Sequence, residues 1–462
     1  MRVLDLKDKR FWGMMLKIGL PIAIQNLIFN SLSLVDNVLV GGLGEDNIAA
    51  VGIAGKLSFI FMLFMFGINS GANIFSAQFW GKKDLKGVRK VLGLSLFLGL
   101  TVSIPFLLIG TLLSETFVGI FTDDPEVIRI SASYLRVLAL TFPINAVTSS
   151  YGMQSRGVGR TKLPLLASAI ALIVNTVFTY LLVYGKLGFP MLGAYGAALA
   201  TLAARILECF LLLFIIYRKG YELAARPREF TGYTKEFLAR FIKPVLPVIC
   251  NEVLWALGVT GYAYFYGRLG TEAFATVQIL DVINGIFFSL FTGMGNACAA
   301  IIGNKIGASE EATARLYARR SIAFGVLFGF AVGIMLLITA PLFLSFFTIS
   351  EATLALCRST IIVYAVYTIP KVINMVMVVG VLRSGGDTIF AAMIDVGAPW
   401  FIGLPMAFLG VEVLALPIYF VMAMVNLEEL VKATLGVKRL LSDKWLNNLV
   451  RDIHHEEEIL IS

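Results

Sequence analysis

Charge is scarce in this 462-residue sequence: Asp, Glu, Lys and Arg together supply only 15 % of it. Soluble globular chains carry roughly 25 %, so a water-soluble domain is excluded as the main architecture. Histidine is scarcer still. There are two, His454 and His455, both in the C-terminal "DIHHEEE", and a solvated tail is a better reading of them than a metal site. Four cysteines (Cys209, Cys250, Cys298 and Cys357) lie in or beside apolar segments without CxxC spacing, which points to packing over disulfides or metal. No GxxxxGK[ST] phosphate loop is present, nor HExxH or GxSxG. ATP-driven and hydrolytic chemistry of those types therefore has no residues to run on. The chain is read as a non-enzyme without a cofactor.

Apolar residues, by contrast, make up 58 %. They form runs that reach or exceed the roughly 20 residues needed to cross a bilayer. The N-terminal run is full-length and lacks a small-residue cleavage site, so it reads as a first span and not a signal peptide. Gly, Pro and charge clusters divide the apolar runs into twelve predicted helices: 16–40, 48–79, 91–112, 130–153, 163–184, 191–217, 241–266, 276–303, 317–340, 355–382, 390–410 and 412–437. The fold class is thus an all-α polytopic membrane protein embedded in a lipid bilayer.

The formal charge is +8. No Lys/Arg-rich arm with interleaved aromatics accompanies it, so nucleic acid is not an expected partner. The basic residues instead gather in alternate loops, among them "GKKDLKGVRK" (81–90), "SRGVGRTK" (155–162) and "RLYARR" (315–320), whereas "GEDN" (44–47) and "TDDPE" (122–126) are acidic. Basic loops stay on the cytoplasmic side. This assigns both termini and the 218–240 linker to the cytoplasm, in a multi-pass protein of the cell membrane.

The sequence also repeats itself. "LPIAIQNLIFNSLSLVDNVLVGGLGEDNIAAVGI" (20–53) aligns without gaps on "LPVICNEVLWALGVTGYAYFYGRLGTEAFATVQI" (246–279). The same register places Gly67 on Gly293 and Gly81 on Gly307. With one extra residue, Pro143 meets Pro370 and "RGVGRT" (156–161) meets "RSGGDT" (383–388). Two parallel six-helix repeats follow: residues 1–217, a cytoplasmic linker 218–240, residues 241–437, and a cytoplasmic tail 438–462. Such duplicated folds commonly alternate access around a site between or within the halves.

Few ionisable residues remain at depth in the predicted spans. They are Asp36, Arg205, Glu208, Glu252, Lys371 and Asp395, with Lys56 and Asp281 nearer span ends. A mid-helix acid costs roughly 2.5–3.5 kcal/mol on insertion scales, so it is retained by pairing or by lining a wet cavity. In span 1, Asn26, Asn30, Ser33 and Asn37 share a stripe, with Asp36 beside it on the side of Gln25. This broad polar face fits a cavity-lining helix, and also an interhelical polar contact. In span 7, Glu252, Trp255, Val259, Tyr262 and Tyr266 share a face. It fits an organic cation held by charge and ring quadrupole and equally fits packing. A buried carboxylate can exchange a proton or hold a small cation, which makes ion coupling the expected energy source.

Taken together, the twelve spans, "GLPIAIQNLIFNSLSLVDNVLVGGLG", "GANIFSAQFWGKKD" and "LRSGGDT" resemble the multidrug and toxic compound extrusion (MATE) transporters over almost the whole chain. The resemblance implies a V-shaped pair of six-helix lobes. It implies an antiporter, expected as a monomer, that exports cationic amphipathic compounds against protons or sodium. It places the family's span 1 acid on Asp36, where sodium is an alternative to a proton. In the DinF-like branch a span 5 "NxxxD" and a span 6 Thr join that acid. Here "NTVFT" supplies Asn175 but replaces the second acid by Thr179, and "GAALAT" supplies Thr201. The coupling-ion candidates are therefore Asp36, Asn175, Thr179 and Thr201. The substrate-binding candidates are Glu252, Trp255, Tyr262, Asn26, Asn30 and Asp395. Glu252 sits about a turn before the NorM-branch span 7 Glu and the span 10 acid of that branch has no match, so the chain resembles the DinF-like branch more closely. A flippase for lipid-linked sugars shares the gross topology, but its pyrophosphate calls for more deep Arg and Lys than this sequence offers.

Overall fold

The computed structural model describes residues 8–231, 233–347 and 349–451, with the side chains of residues 31–38 outside that description. Helices account for nearly everything described, and none of these residues belongs to a β-strand. The first eight are α1 (Lys9–Gly41), α2 (Glu45–Gly81), α3 (Leu85–Leu112), the short α4 (Ser114–Val118), α5 (Pro125–Ala139), α6 (Thr141–Gly157), α7 (Lys162–Tyr184) and α8 (Gly193–Arg218). The next four are α9 (Lys235–Arg268), α10 (Thr271–Gly307), α11 (Glu311–Leu344) and α12 (Glu351–Met375). Then come α13 (Thr388–Ala398), α14 (Leu404–Phe408), α15 (Ile418–Val425) and α16 (Leu427–Leu441).

Local chemistry sets several of these boundaries. Asp84 caps α3 by accepting from the Gly87 amide at 2.9 Å. Asp124 does the same for α5, ahead of Pro125 at the first helical position, where a missing N–H costs nothing. Gly185 ends α7 in the left-handed region at φ 63°, which glycine adopts without a Cβ penalty.

Among the described residues ten helices are long and apolar enough to cross a membrane, or eleven if α5 and α6, bent by 43°, form one span. The predicted fourth span is therefore broken at Leu140. The predicted twelfth is split at Asn426 into α15 and α16, and α16 carries Glu428 and Lys432 buried and Glu429 half-buried. The predicted tenth and eleventh spans contain π-helical turns at Val376–Arg383, Pro399–Gly403 and Leu409–Val413. Such wide turns recur where a helix must aim a side chain.

The chain divides into two compact units. One holds residues up to Ala23, Ala77–Lys83 and everything from Arg240 onward; the other holds Ile24–Ser76 and Asp84–Ala239. The division thus runs through α1 and α2. In the second unit the linker folds onto its own bundle. Glu229 pairs with Arg89 at 2.5 Å and Glu222 with Arg160 at 2.9 Å. In the first unit, the end of α2 crosses the end of α10 at close range. A Cβ on Gly81 would stand 1.9 Å from the Asn304 carbonyl oxygen, and one on Gly307 only 1.8 Å from that of Gln78. The repeat aligns Gly81 with Gly307 and Gln78 with Asn304, so the two contacts are equivalent halves of one crossing. The segment after α16 covers this region. Trp445 is fully buried, the Leu449 amide donates to Gln78 Oε1 at 2.8 Å, and Lys82 Nζ donates to the Val450 carbonyl at 2.8 Å. His454, His455 and the acidic end lie outside the described residues.

Candidate functional site

The unit containing Arg240 onward has a buried charge cluster built by α9, α12, α13 and α16. Glu252 and Asn251 lie on α9, whose interior Pro244 and Pro247 each remove a backbone hydrogen bond. The π-helical extension of α12 ends at Arg383, which sets its guanidinium 2.8 Å from Glu252 and 3.9 Å from Asp395 of α13. Asn251 donates to Asp395 at 3.0 Å. Lys432 on α16 stands 3.7 Å from Asp395, 3.8 Å from Glu428 and 3.5 Å from Glu429. Tyr262 donates to Glu428 at 2.5 Å and Asn374 to Glu429 at 2.6 Å. Four acids thus meet two bases. With every group ionised, two negative charges are left over, and in a medium this poor in water such an excess is costly. Beside the cluster, Tyr364 donates to Asp281 at 3.2 Å while Lys371 Nζ lies 4.7 Å from the Tyr364 ring centre.

The residues of the aromatic face predicted on span 7 differ in burial. Tyr262 and Tyr266 are buried, Trp255 is half-buried and Val259 is exposed. The Tyr262 hydroxyl is committed to Glu428, and the Glu252 carboxylate to Arg383. Arg383, Glu428, Glu429 and Lys432 escaped the sequence reading. Arg383 fell just beyond a predicted span end, and Glu428, Glu429 and Lys432, although inside the predicted span 412–437, were not counted among the deep charges. The i,i+3 and i,i+4 spacing of both glutamates to Lys432 was the available signal.

The other unit carries a second polar cluster. Asn175 on α7 donates to Thr201 on α8 at 3.1 Å. Both are buried, as is Thr179 one turn further along α7. Asn175 Oδ1 is buried without a hydrogen-bond partner among the described residues. The structure therefore brings together three of the four predicted coupling-ion residues. The side chain of Asp36 lies outside the described residues. Asn26 is half-buried and Asn30 exposed on α1. Nearer the start of that segment of α1, Arg205 and Glu208 pair at 2.7 Å, and Ser168 donates to Glu208 at 2.6 Å. A small pocket opens here between Phe29, Ser168, Leu172, Arg205 and Glu208, with the Arg205 guanidinium 5.2 Å from the Phe29 ring centre. All four cysteines are free thiols.

One family model, MatE, matches the chain twice, over residues 21–181 and 247–409. The matches start at the two prolines that the internal repeat aligns. A probable multidrug resistance protein of Bacillus subtilis, YoeA, is 25 % identical over 86 % of this chain and 86 % of its own length. A probable multidrug resistance protein NorM of Thermotoga maritima is 24 % identical over 93 % and 92 %. Among solved structures, a variant of the Vibrio cholerae MATE transporter VcmN superposes with a TM-score of 0.86 at 17 % identity. It covers 95 % of this chain and 98 % of that one.

Proposed function

From the premise that this chain belongs to the MatE family of membrane transporters, we propose that it is a secondary active multidrug exporter. It expels cationic amphipathic molecules in exchange for protons. The observation that carries the coupling is the surplus of acids over bases in the cluster around Lys432. A buried carboxylate without a counter-charge needs a proton or a cation, and releasing one reshapes its hydrogen bonds. Relatives named YoeA and NorM match alike, so branch membership carries no weight here.

Asp36 is proposed as the coupling carboxylate of the other unit, with Asn175, Thr179 and Thr201 as its polar neighbours. The unpartnered Asn175 Oδ1 supports a cation-accepting site there. Asn26 and Asn30 are proposed to face the substrate path from the same helix. Glu252 and Asp395 are proposed to hold Arg383 in place and to meet substrate only when that pair opens. The protein works as a monomer in the cell membrane with both termini in the cytoplasm.

The test is ethidium efflux from proteoliposomes with pH and sodium gradients imposed separately. Efflux driven by the pH gradient alone, and lost in Asp36→Asn, is the expected result. No efflux under either gradient, or full efflux in Asp36→Asn, overturns the proposal.

A further inference from the structure

The segments that follow the two six-helix halves bind differently. The linker after α8 stays on its own half, where Glu229 and Glu222 pair with Arg89 and Arg160. The segment after α16 reaches the other half. Its Leu449 amide donates to Gln78 Oε1 at 2.8 Å, and Gln78 Nε2 donates to the Asn447 carbonyl at 3.2 Å. Lys82 Nζ donates to the carbonyls of Val450 at 2.8 Å and Arg451 at 3.2 Å. Gln78 closes α2 of the first half, and Lys82 follows it directly. The same segment is also bound to the second half. The Asn447 amide donates to the Gly385 carbonyl at 2.8 Å, Asn448 Nδ2 donates to the Ile306 carbonyl at 2.9 Å, and Arg451 pairs with Glu311 at 3.4 Å. Residues 445–451 therefore lie across the α2–α10 crossing, fastened on both sides of it.

The duplication alone does not supply this seat. The repeat aligns Gln78 with Asn304, whose Oδ1 is buried without a partner among the described residues. It aligns Lys82 with Ala308, which has no donor to offer, and Gly385 with Val158. A Cβ on Gly385 would run into the Trp445 carbonyl oxygen, so a valine there would bar the segment. Each difference favours seating on the second half. The seat is nevertheless held lightly. Trp445 is fully buried, yet its Nε1 has no hydrogen-bond partner among the described residues. A buried donor without an acceptor is costly, and water satisfies it once the segment lifts. The other bonds are neutral hydrogen bonds, a few from the Lys82 ammonium, and a partly exposed ion pair, all of which exchange for water at small net cost.

Duplicated transporters alternate access by rocking one repeat against the other. The basic loops place this crossing on the cytoplasmic side, so opening there parts α2 from α10. The helix leading into the segment, α16, carries Glu428 and Lys432 of the acid cluster near its start. Near its end, Arg439 pairs with Asp387 at 2.6 Å, beside the Gly385 seat. A shift of α16 on proton exchange is passed directly to the segment.

We infer that residues 442–451 form a cytoplasmic latch, which holds the α2–α10 crossing shut while seated and detaches before the transporter opens to the cytoplasm. The inference rests on the exporter reading and adds a gating element to it.

Two native cysteines read the crossing. Cys298 on α10 is fully buried, with its Sγ 3.9 Å from Met15 Sδ of α1, so a helix of the first half covers it. Cys357 on α12 of the second half is equally buried. The purified full-length protein and a form lacking residues 443–462 are alkylated with N-ethylmaleimide in a neutral maltoside detergent at neutral pH. Peptide mass spectrometry follows each cysteine. Removing the latch shifts the population toward the parted crossing and speeds alkylation of Cys298 by about tenfold, with Cys357 unchanged. An unchanged Cys298 overturns the inference. Equal acceleration of both cysteines also overturns it, because the segment is then a part of the fold and not a latch upon it. Tethering is the converse test. Lys82→Cys and Arg451→Cys are combined and joined by a short bifunctional methanethiosulfonate, which dithiothreitol removes. Joining stops ethidium efflux from proteoliposomes and reduction restores it, while each single variant treated alike keeps its efflux. Efflux that continues at the unjoined rate overturns the latch. A wild-type protein without efflux under either gradient overturns the exporter reading, and the alkylation rates still decide whether the segment holds the crossing.

Discussion

Arg383 and Glu252 form an ion pair of 2.8 Å between a π-helical turn and a proline-bearing helix, and both side chains are shut away from solvent. Glu252 has no charged residue within four positions in sequence, and Asp387, four residues after Arg383, pairs with Arg439 instead. The fold alone brings them together, and the energetics of the pair follow from burial. Removing one partner strands the other charge, at roughly 3–5 kcal/mol, whereas replacing both by apolar groups of similar volume is often near neutral. Arg383→Met is therefore strongly destabilising, and Arg383→Met combined with Glu252→Leu is less so than Arg383→Met alone. Thermal unfolding of the purified variants in detergent reads the difference. Equal melting temperatures for the single and double variants would refute it.

The crossing of α2 and α10 gives a steric prediction. Gly81→Ala and Gly307→Ala each place a Cβ inside a backbone carbonyl contact, and neither helix can yield without separating from the other. Both variants lose most of their folded yield, scored by size-exclusion chromatography after membrane extraction. Gly13→Ala, where a Cβ meets nothing within 4 Å, serves as the control and keeps its yield.

The coupling proposed for the acid cluster is tested at Tyr262 and Glu428. Glu428→Gln keeps the shape but removes the titratable group, so dye efflux driven by a pH gradient slows by about tenfold or more, in the range seen for loss of a proton-transfer group. Tyr262→Phe deletes the 2.5 Å hydrogen bond and leaves the carboxylate, so its pH-gradient efflux falls less. The proposed role fails if Glu428→Gln transports at the wild-type rate.

Outside the apolar spans, Asp8 precedes α1 and accepts from the Phe11 amide at 3.1 Å while pairing with Arg320. The amide hydrogen bond, followed by the arginine, holds this carboxyl below its ordinary range against the opposing effect of burial. A carboxyl depressed in the folded state contributes stability above its unfolded pKa, about 3.9, and loses it as pH falls through the lower folded value. Wild type should melt above Asp8→Asn at neutral pH, and the two should converge below about pH 3. A gap that persists unchanged at that acidity would contradict this account.

The sequence made the helices legible because lipid imposes a single rule, that every backbone polar group bonds within its own segment. Apolar length then marks a span. The rule weakened where charge entered a helix. The region 412–437 reads as one more span, yet Asn426 divides it into α15 and α16, each shorter than a crossing helix. The Asn175–Thr201 contact was implied by a resemblance, whereas the partner of Arg383 had no sequence signal beyond its place in a repeat.

The amino-acid sequence by itself determined the helical membrane architecture, the duplication, and which positions differ between the halves, because hydropathy and self-similarity are properties of the chain. The tertiary structure decided which charges neutralise one another. Ion pairing depends on distances of a few ångströms between helices far apart in the chain, as Glu252 and Arg383 are. Glu252 looked like a free carboxylate on an aromatic face until Arg383 was found beside it. Arg156 looked like a loop base until its guanidinium proved to donate to the Gln25 amide oxygen.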